Sequence, residues 1–313
     1  MKNVILAVFL FSNWMYSQAQ FTIDTSYTVQ STFNKEKNIY PFLKIVTEKK
    51  YDNVQEAKDL VYKKIDSRTL HLDAFYNSDS KSLPAIVLIH GGGWKSGNKN
   101  QMHLMAQEIA SRGYACFAIE YRLAPEAKYP AAILDVKSAI KFIKLNAKKY
   151  NANPNKVAVL GCSSGGQMAA LIGSTNGNSA FEDNKDLNGN ASVQAIIDMD
   201  GILAFKHPES EEGKVAGFWL DGSNEEKPET WKQASALTHA SKNTPPILFI
   251  NSDKNRFHAG RDDMIAILNE YGVYSEVKNI YNAPHSFWFF HPWFEQMIDH
   301  TILFLNTTLK TKH

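Results

Sequence analysis

Gly161-Cys162-Ser163-Ser164-Gly165 is the stretch that most narrows what this chain can fold into. The apolar, strand-like run Lys156-Val-Ala-Val-Leu160 precedes it, and the helical run Gly166-Gln-Met-Ala-Ala-Leu-Ile172 follows. A G-x-S-x-G between a strand and a helix is a sharp turn that lifts its central serine clear of a sheet. The serine carries strained backbone, and glycines flank it because side chains there would clash with neighbouring chain. The register selects Ser163, since centring the motif on Ser164 would put Cys162 where the first glycine belongs. A Gly/Ser-rich turn with no chemistry is the plain alternative. Two further motifs count against it.

The first is His90-Gly91-Gly92-Gly93-Trp94, after the apolar run 85–89. Consecutive glycines beyond a buried strand leave backbone N–H groups free to approach a developing oxyanion. An elbow of this type takes one such donor from the glycine loop and one from the residue after the nucleophile. That points to Gly92 or Gly93 together with Ser164. The second is Pro284-His285-Ser286-Phe287, after the strand-like stretch 274–281. A serine nucleophile needs a base, and imidazole titrates in the useful range. Among ten histidines, His285 has the right place in the order, after the elbow serine and near the C-terminus.

These stretches resemble an α/β-hydrolase of the carbohydrate-esterase and hormone-sensitive-lipase-like branch with an H-G-G-G oxyanion loop. The resemblance also rests on Tyr121-Arg-Leu-Ala-Pro-Glu126, Tyr129-Pro-Ala131, Asp135, Val193-Gln-Ala-Ile-Ile-Asp198 with Gly201, and Pro245-Pro-Ile-Leu-Phe-Ile250. It spans residues 60–305 and implies an α/β fold: a mostly parallel, doubly wound sheet with helices on both faces. It also implies a serine esterase that needs no metal or cofactor. In the family pattern the segment after strand 247–250 runs H-G-x-x-D. Here it reads Asn251-Ser252-Asp253-Lys254-Asn255, with an amide at the acid's place. Three carboxylates compete for the role. Asp253 is favoured because in extended backbone it shares a face with Asn255. Asp262 follows, since it could swing in from the start of the next helix. Asp200, where some lipases of this fold carry their acid, comes third. Asp135 and Arg122 are expected to form a structural pair beneath the site.

The periodicity of the chain independently calls for the same architecture. Residues 60–65 and 68–76 alternate like a leading antiparallel pair. Strand 85–89 then alternates with helix 100–112, and strand 114–121 with helix 131–149. In the last of these, Ile133, Val136, Ile140 and Ile143 line one face. Such alternation implies parallel strands with ligands bound beyond their C-terminal ends, where all three motifs fall. The segment 206–243, with Phe218-Trp219-Leu220 and Trp231, is either a small cap or a surface connection of two short helices. Asn184-x-Asp186-x-Asn188-Gly189 resembles half of a calcium loop. Ala195 stands where its closing acid would be, so an ordinary polar loop is expected. The aromatic run 287–294 is read chiefly as packing for the last helix.

Residues 1–19 read as a cleavable signal peptide: a basic start at Lys2, an apolar run 4–11, and Ser17-Gln18-Ala19 as the cleavage site. The apolar run is well short of the ~20 residues a membrane helix needs. One domain, 20–313, is expected in the periplasm or outside the cell. A formal net charge of +2 on 313 residues gives no electrostatic case for nucleic acid or an anionic membrane surface as partner. Cys116 and Cys162 are expected to remain buried free thiols, because their strands should flank 85–89 on opposite sides, about 9.6 Å apart. The resemblance and the leader imply an exported esterase acting on acetylated plant polysaccharide of xylan or pectin type. An amide hydrolase with the same triad, or a glycan binder that has lost its acid at Asn255, are the alternatives. The sequence leaves the oligomeric state open.

Overall fold

The computed structural model describes residues 24–183 and 188–310. Helix α1 (Val29–Glu36) and the two-residue strand β1 (Lys44–Ile45) lead into the main sheet. Its strands are β2 (Val54–Ile65), β3 (Arg68–Asn77), β4 (Leu83–Ile89), β5 (Ala115–Ile119), β6 (Ala152–Cys162), β7 (Ala195–Met199), β8 (Ile247–Asn251) and β9 (Ser275–Asn279). The order is β2-β3-β5-β4-β6-β7-β8-β9. β3 runs antiparallel to β2 and β5, and every pairing from β5 onward is parallel. This is the doubly wound α/β-hydrolase sheet expected from the sequence. A short strand β10 (Phe290–His291) pairs with β1 in a separate ribbon.

All seven residues of β4 are buried, as a parallel strand covered on both faces requires. Its alternate side chains serve two cores. Ala85, Val87 and Ile89 pack with helices α3 (Ala131–Leu145) and α4 (Ser164–Ser174). Ile86 and Leu88 pack with α2 (His103–Ser111) and α7 (Trp293–Leu305). Ile133, Val136, Ile140 and Ile143 of α3 are fully buried, and the aromatic run from Phe287 to Phe294 fills the opposite core. The helix expected over 100–112 is divided. Asn98 and Gln101 form a capping box on a 3₁₀ turn (Lys99–Met102), and α2 starts only at His103.

Cys116 and Cys162 are free and buried, on strands that flank β4 from opposite sides. Among the described residues no helix is long and apolar enough to cross a membrane. The proposed leader and the 184–187 part of the loop that resembles a calcium site lie outside the described residues.

Asp135, fully buried on α3, takes two hydrogen bonds of 2.8 Å from the Arg122 guanidinium and lies 3.2 Å from Lys63 Nζ. It ties the start of the chain segment after β5 to α3 and to β2. Asp135→Ala takes its buried carboxylate partner from Arg122 and leaves Lys63 with only Asp183, at 3.7 Å. Breaking a buried pair in this way costs about 3–5 kcal/mol. Urea unfolding of the variant is expected to show a loss of that size with an unchanged slope.

Candidate functional site

β6 ends at Cys162 and α4 begins at Ser164, so Ser163 is the single residue of the turn between them. Its φ of 55° and ψ of −121° place a non-glycine residue in rarely occupied backbone space, which surrounding contacts must hold in place. They do so closely. A Cβ at Gly161 would stand 2.0 Å from the Gly165 carbonyl oxygen, and one at Gly165 would stand 2.2 Å from that of Ile89. The Ser163 amide donates to the Met199 carbonyl at 2.7 Å, fastening the turn to β7.

The glycine loop after β4 lies directly against this turn: a Cβ at Gly91 would be 2.8 Å from the Cys162 carbonyl oxygen. Gly92 (φ 126°) and Gly93 (φ 60°) take the left-handed conformations that let the loop double back. Its shape is held from both sides. Ser96 Oγ donates to the Gly92 carbonyl at 2.8 Å. Trp94 Nε1 donates to Gln167 Oε1 at 3.0 Å, and Gln167 Nε2 donates to the Ala234 carbonyl at 2.8 Å. Burial pushes the His90 imidazole down to about 4. It is therefore neutral, stacked on Tyr121 with ring centroids 4.3 Å apart, and its Nδ1–H donates to the Gly91 carbonyl at 2.8 Å. His90 is a prop for the loop and takes no part as a base.

His285 follows β9 and reaches back over the turn. Its Nε2 is 2.8 Å from Ser163 Oγ, and its Nδ1 is 2.9 Å from Asp200 Oδ2. The carboxylate on the imidazole is thus Asp200, at the C-terminal end of β7, and neither Asp253 nor Asp262. Asp253 is exposed and accepts the Asn282 amide at 2.6 Å, capping the loop before His285. Asp262 is exposed and paired with Arg261 Nε at 2.8 Å. Asp200 is buried, and its φ of 51° turns the carboxylate back over the strand ends. Ser252 donates to it twice, from its amide at 2.8 Å and from Oγ at 2.6 Å. The segment after β8 therefore still serves the acid, as a donor set instead of as its source.

Gly93, Trp94, Ser163, Ser164, Gln167, Asp200, Ile202, Glu212 and Phe257 line one narrow cleft of about 20 Å³. Gly93 and Ser164 thus share the cleft with the serine, and Gly92, whose carbonyl accepts from Ser96, adjoins them in the loop. Glu212 comes from the segment 206–243, so that segment borders the cleft. It contains α5 (Gly213–Leu220) and α6 (Pro228–Ala234). Trp219 of α5 is fully buried and stacks on Trp94, with centroids 5.0 Å apart and planes 10° apart. The segment is therefore a small fixed cap. Sequence reasoning missed Ser252, Glu212 and Phe257; each acquires its place only through a contact distant in sequence.

Residues 72–259, more than half of the chain, match the family BD-FAE. The chain belongs to the BD-FAE family. The matched BD-FAE region contains the glycine loop, the elbow and Asp200 and ends before His285. Among curated relatives, Esterase LipC of Mycobacterium tuberculosis is 29% identical over 204 residues, 63% of this chain and 49% of LipC. Versiconal hemiacetal acetate esterase of Dothistroma septosporum is 28% identical over 228 residues, 66% of this chain and 67% of that protein. The chain spans about half the length of the first curated relatives it matches. A solved structure, a truncated form of a carbohydrate esterase from gut microbiota, superposes with a TM-score of 0.66 at 24% identity. It covers 84% of this chain and all of its own. The BD-FAE match and this superposition agree on an α/β-hydrolase fold.

Proposed function

We propose that this chain is a serine carboxylester hydrolase that works outside the cytoplasm. Its substrates are acetyl or similarly small acyl esters on plant polysaccharide or oligosaccharide of xylan or pectin type. The observation that carries the reading is the unbroken line Asp200–His285–Ser163, with links of 2.9 and 2.8 Å, ending on a strained serine that faces a cleft. His285 Nε2 takes the Ser163 proton as Oγ attacks the ester carbonyl. The N–H groups of Gly93 and Ser164 receive the oxyanion of the tetrahedral intermediate. His285 returns the proton to the leaving alcohol, and water, activated by the same imidazole, then cleaves the acyl-enzyme. Asp200 holds the Nδ1–H tautomer and balances the charge of the imidazolium.

Trp94, Ile202 and Phe257 narrow the cleft beside Ser163, which favours a short acyl chain. The names of two similar proteins, an acetate esterase and a carbohydrate esterase, support the acyl group and the alcohol. The leader-like residues 1–19 support export. With Asp200 in the acid's place, the amide at Asn255 no longer favours a non-catalytic glycan binder. A p-nitrophenyl ester series, run beside acetate release from acetylated xylan, tests the proposal. kcat/KM is expected to peak at acetate and fall at least about tenfold by hexanoate. Turnover of N-formyl amides without turnover of acetyl esters would overturn it.

A further inference from the structure

The imidazole of His285 has a ring neighbour that the triad does not account for. Phe257 lies face to face with it, centroids 3.4 Å apart and planes 12° apart, while Trp288 meets it edge-on at 5.3 Å. Phe257 sits on the 3₁₀ turn Asn255–His258, just past the segment 251–255 that departs from the family pattern. It is half-buried and, among the described residues, belongs to neither hydrophobic core. Core packing therefore does not explain its presence. The Arg256 guanidinium lies 4.1 Å from its ring centroid. The same guanidinium is 3.4 Å from Glu212 and 3.5 Å from Glu211 of the cap. A chain of contacts thus runs from the cap through Arg256 and Phe257 to the imidazole.

The two hydrogen bonds of His285 lie along one line through the ring, from Asp200 to Ser163. They fix where the nitrogens stand but leave roll of the ring about that line to other contacts. Face stacking on Phe257 removes that freedom. The demand rises during turnover, because Ser163 Oγ becomes part of the ester and no longer bonds Nε2 once the acyl-enzyme forms. From then on the imidazole is held by Asp200 and its ring neighbours alone, yet it must aim at a water.

We infer that Phe257 is a positioning residue that holds the His285 imidazole in place for deacylation, steadied through Arg256 by Glu211 and Glu212 of the cap. This rests on the reading of Ser163 and His285 as nucleophile and base.

The test is pre-steady-state and steady-state hydrolysis of p-nitrophenyl acetate by wild type, Phe257→Leu, Phe257→Met and Phe257→Tyr, with thermal midpoints alongside. Misplacing a reacting group by about 1 Å costs on the order of 10²-fold. We expect kcat in Phe257→Leu to fall about 10- to 100-fold with KM falling in parallel. kcat/KM, which reports acylation, should stay within about threefold, and a p-nitrophenol burst should appear or grow. Phe257→Tyr keeps the ring and is expected to retain wild-type kcat within about threefold. Phe257→Met carries the comparison if the leucine variant does not fold. An unchanged kcat, or kcat/KM falling in step with kcat, overturns the inference. Absence of Ser163-dependent ester turnover in the wild type instead sinks the esterase reading itself, and this inference with it.

Discussion

Ser163→Ala is expected to lower kcat on p-nitrophenyl acetate by about 10⁶, the scale seen when the nucleophile of a serine hydrolase is removed. The oxygen is the only part of the elbow that forms a bond to the substrate, so its loss closes the covalent route. The donors at Gly93 and Ser164 remain and leave a residue of catalysis about 10³–10⁴ above water. Stability is not expected to suffer. The side chain contributes one hydrogen bond, to His285, and the strained φ of 55° is tolerated by alanine no worse than by serine. Ester turnover and the thermal midpoint should therefore be measured on the same preparation. Activity within about a hundredfold of wild type would point to another nucleophile, with the adjacent Ser164 the first to examine.

Asp200→Asn should cost about 10⁴ in kcat. The amide keeps the shape of the carboxylate but offers His285 no charge, and it can present a donor to Nδ1 and so impose the wrong tautomer. Ser252, which donates from both its amide and its hydroxyl, would also be left facing a weaker acceptor. Asp253→Ala and Asp262→Ala, measured beside it, are expected to stay within a few-fold of wild type. Their partners are the Asn282 amide and Arg261, away from the imidazole. A large loss at Asp253 with none at Asp200 would reverse the assignment.

Why the acid was the hardest residue to read is visible in the backbone. The serine, the glycine loop and the histidine each sit in a local pattern that the chemistry or the strained chain demands. Asp253 shares a face with Asn255 only where the chain stays extended after β8. In fact β8 ends at Asn251, and a 3₁₀ turn begins at Asn255, so the period of two does not carry over. Asp200 depends on a left-handed residue at the end of β7 and on donors 52 positions away in Ser252. No spacing within a single segment signals either. The sheet, by contrast, was readable throughout. β4 is apolar on both faces, and the buried positions of α3 recur at helical spacing. The cap was ambiguous because α5 and α6 are only eight and seven residues long, and the stacking of Trp219 on Trp94 exists only in three dimensions.

The segment ahead of the main sheet bears on how this protein should be handled. Asp24 bridges to Ser96, and its carboxylate lies 3.2 Å from Lys95, beside the loop that carries Gly93. Tyr27 OH lies 3.3 Å from Ser286 Oγ, next to the base, and the Val46 amide donates to the Phe289 carbonyl at 2.9 Å. One stretch of some twenty residues thus reaches both the donor loop and the histidine loop. Recombinant versions trimmed to the sheet, starting near Val54, would be cut loose at two places that matter for turnover.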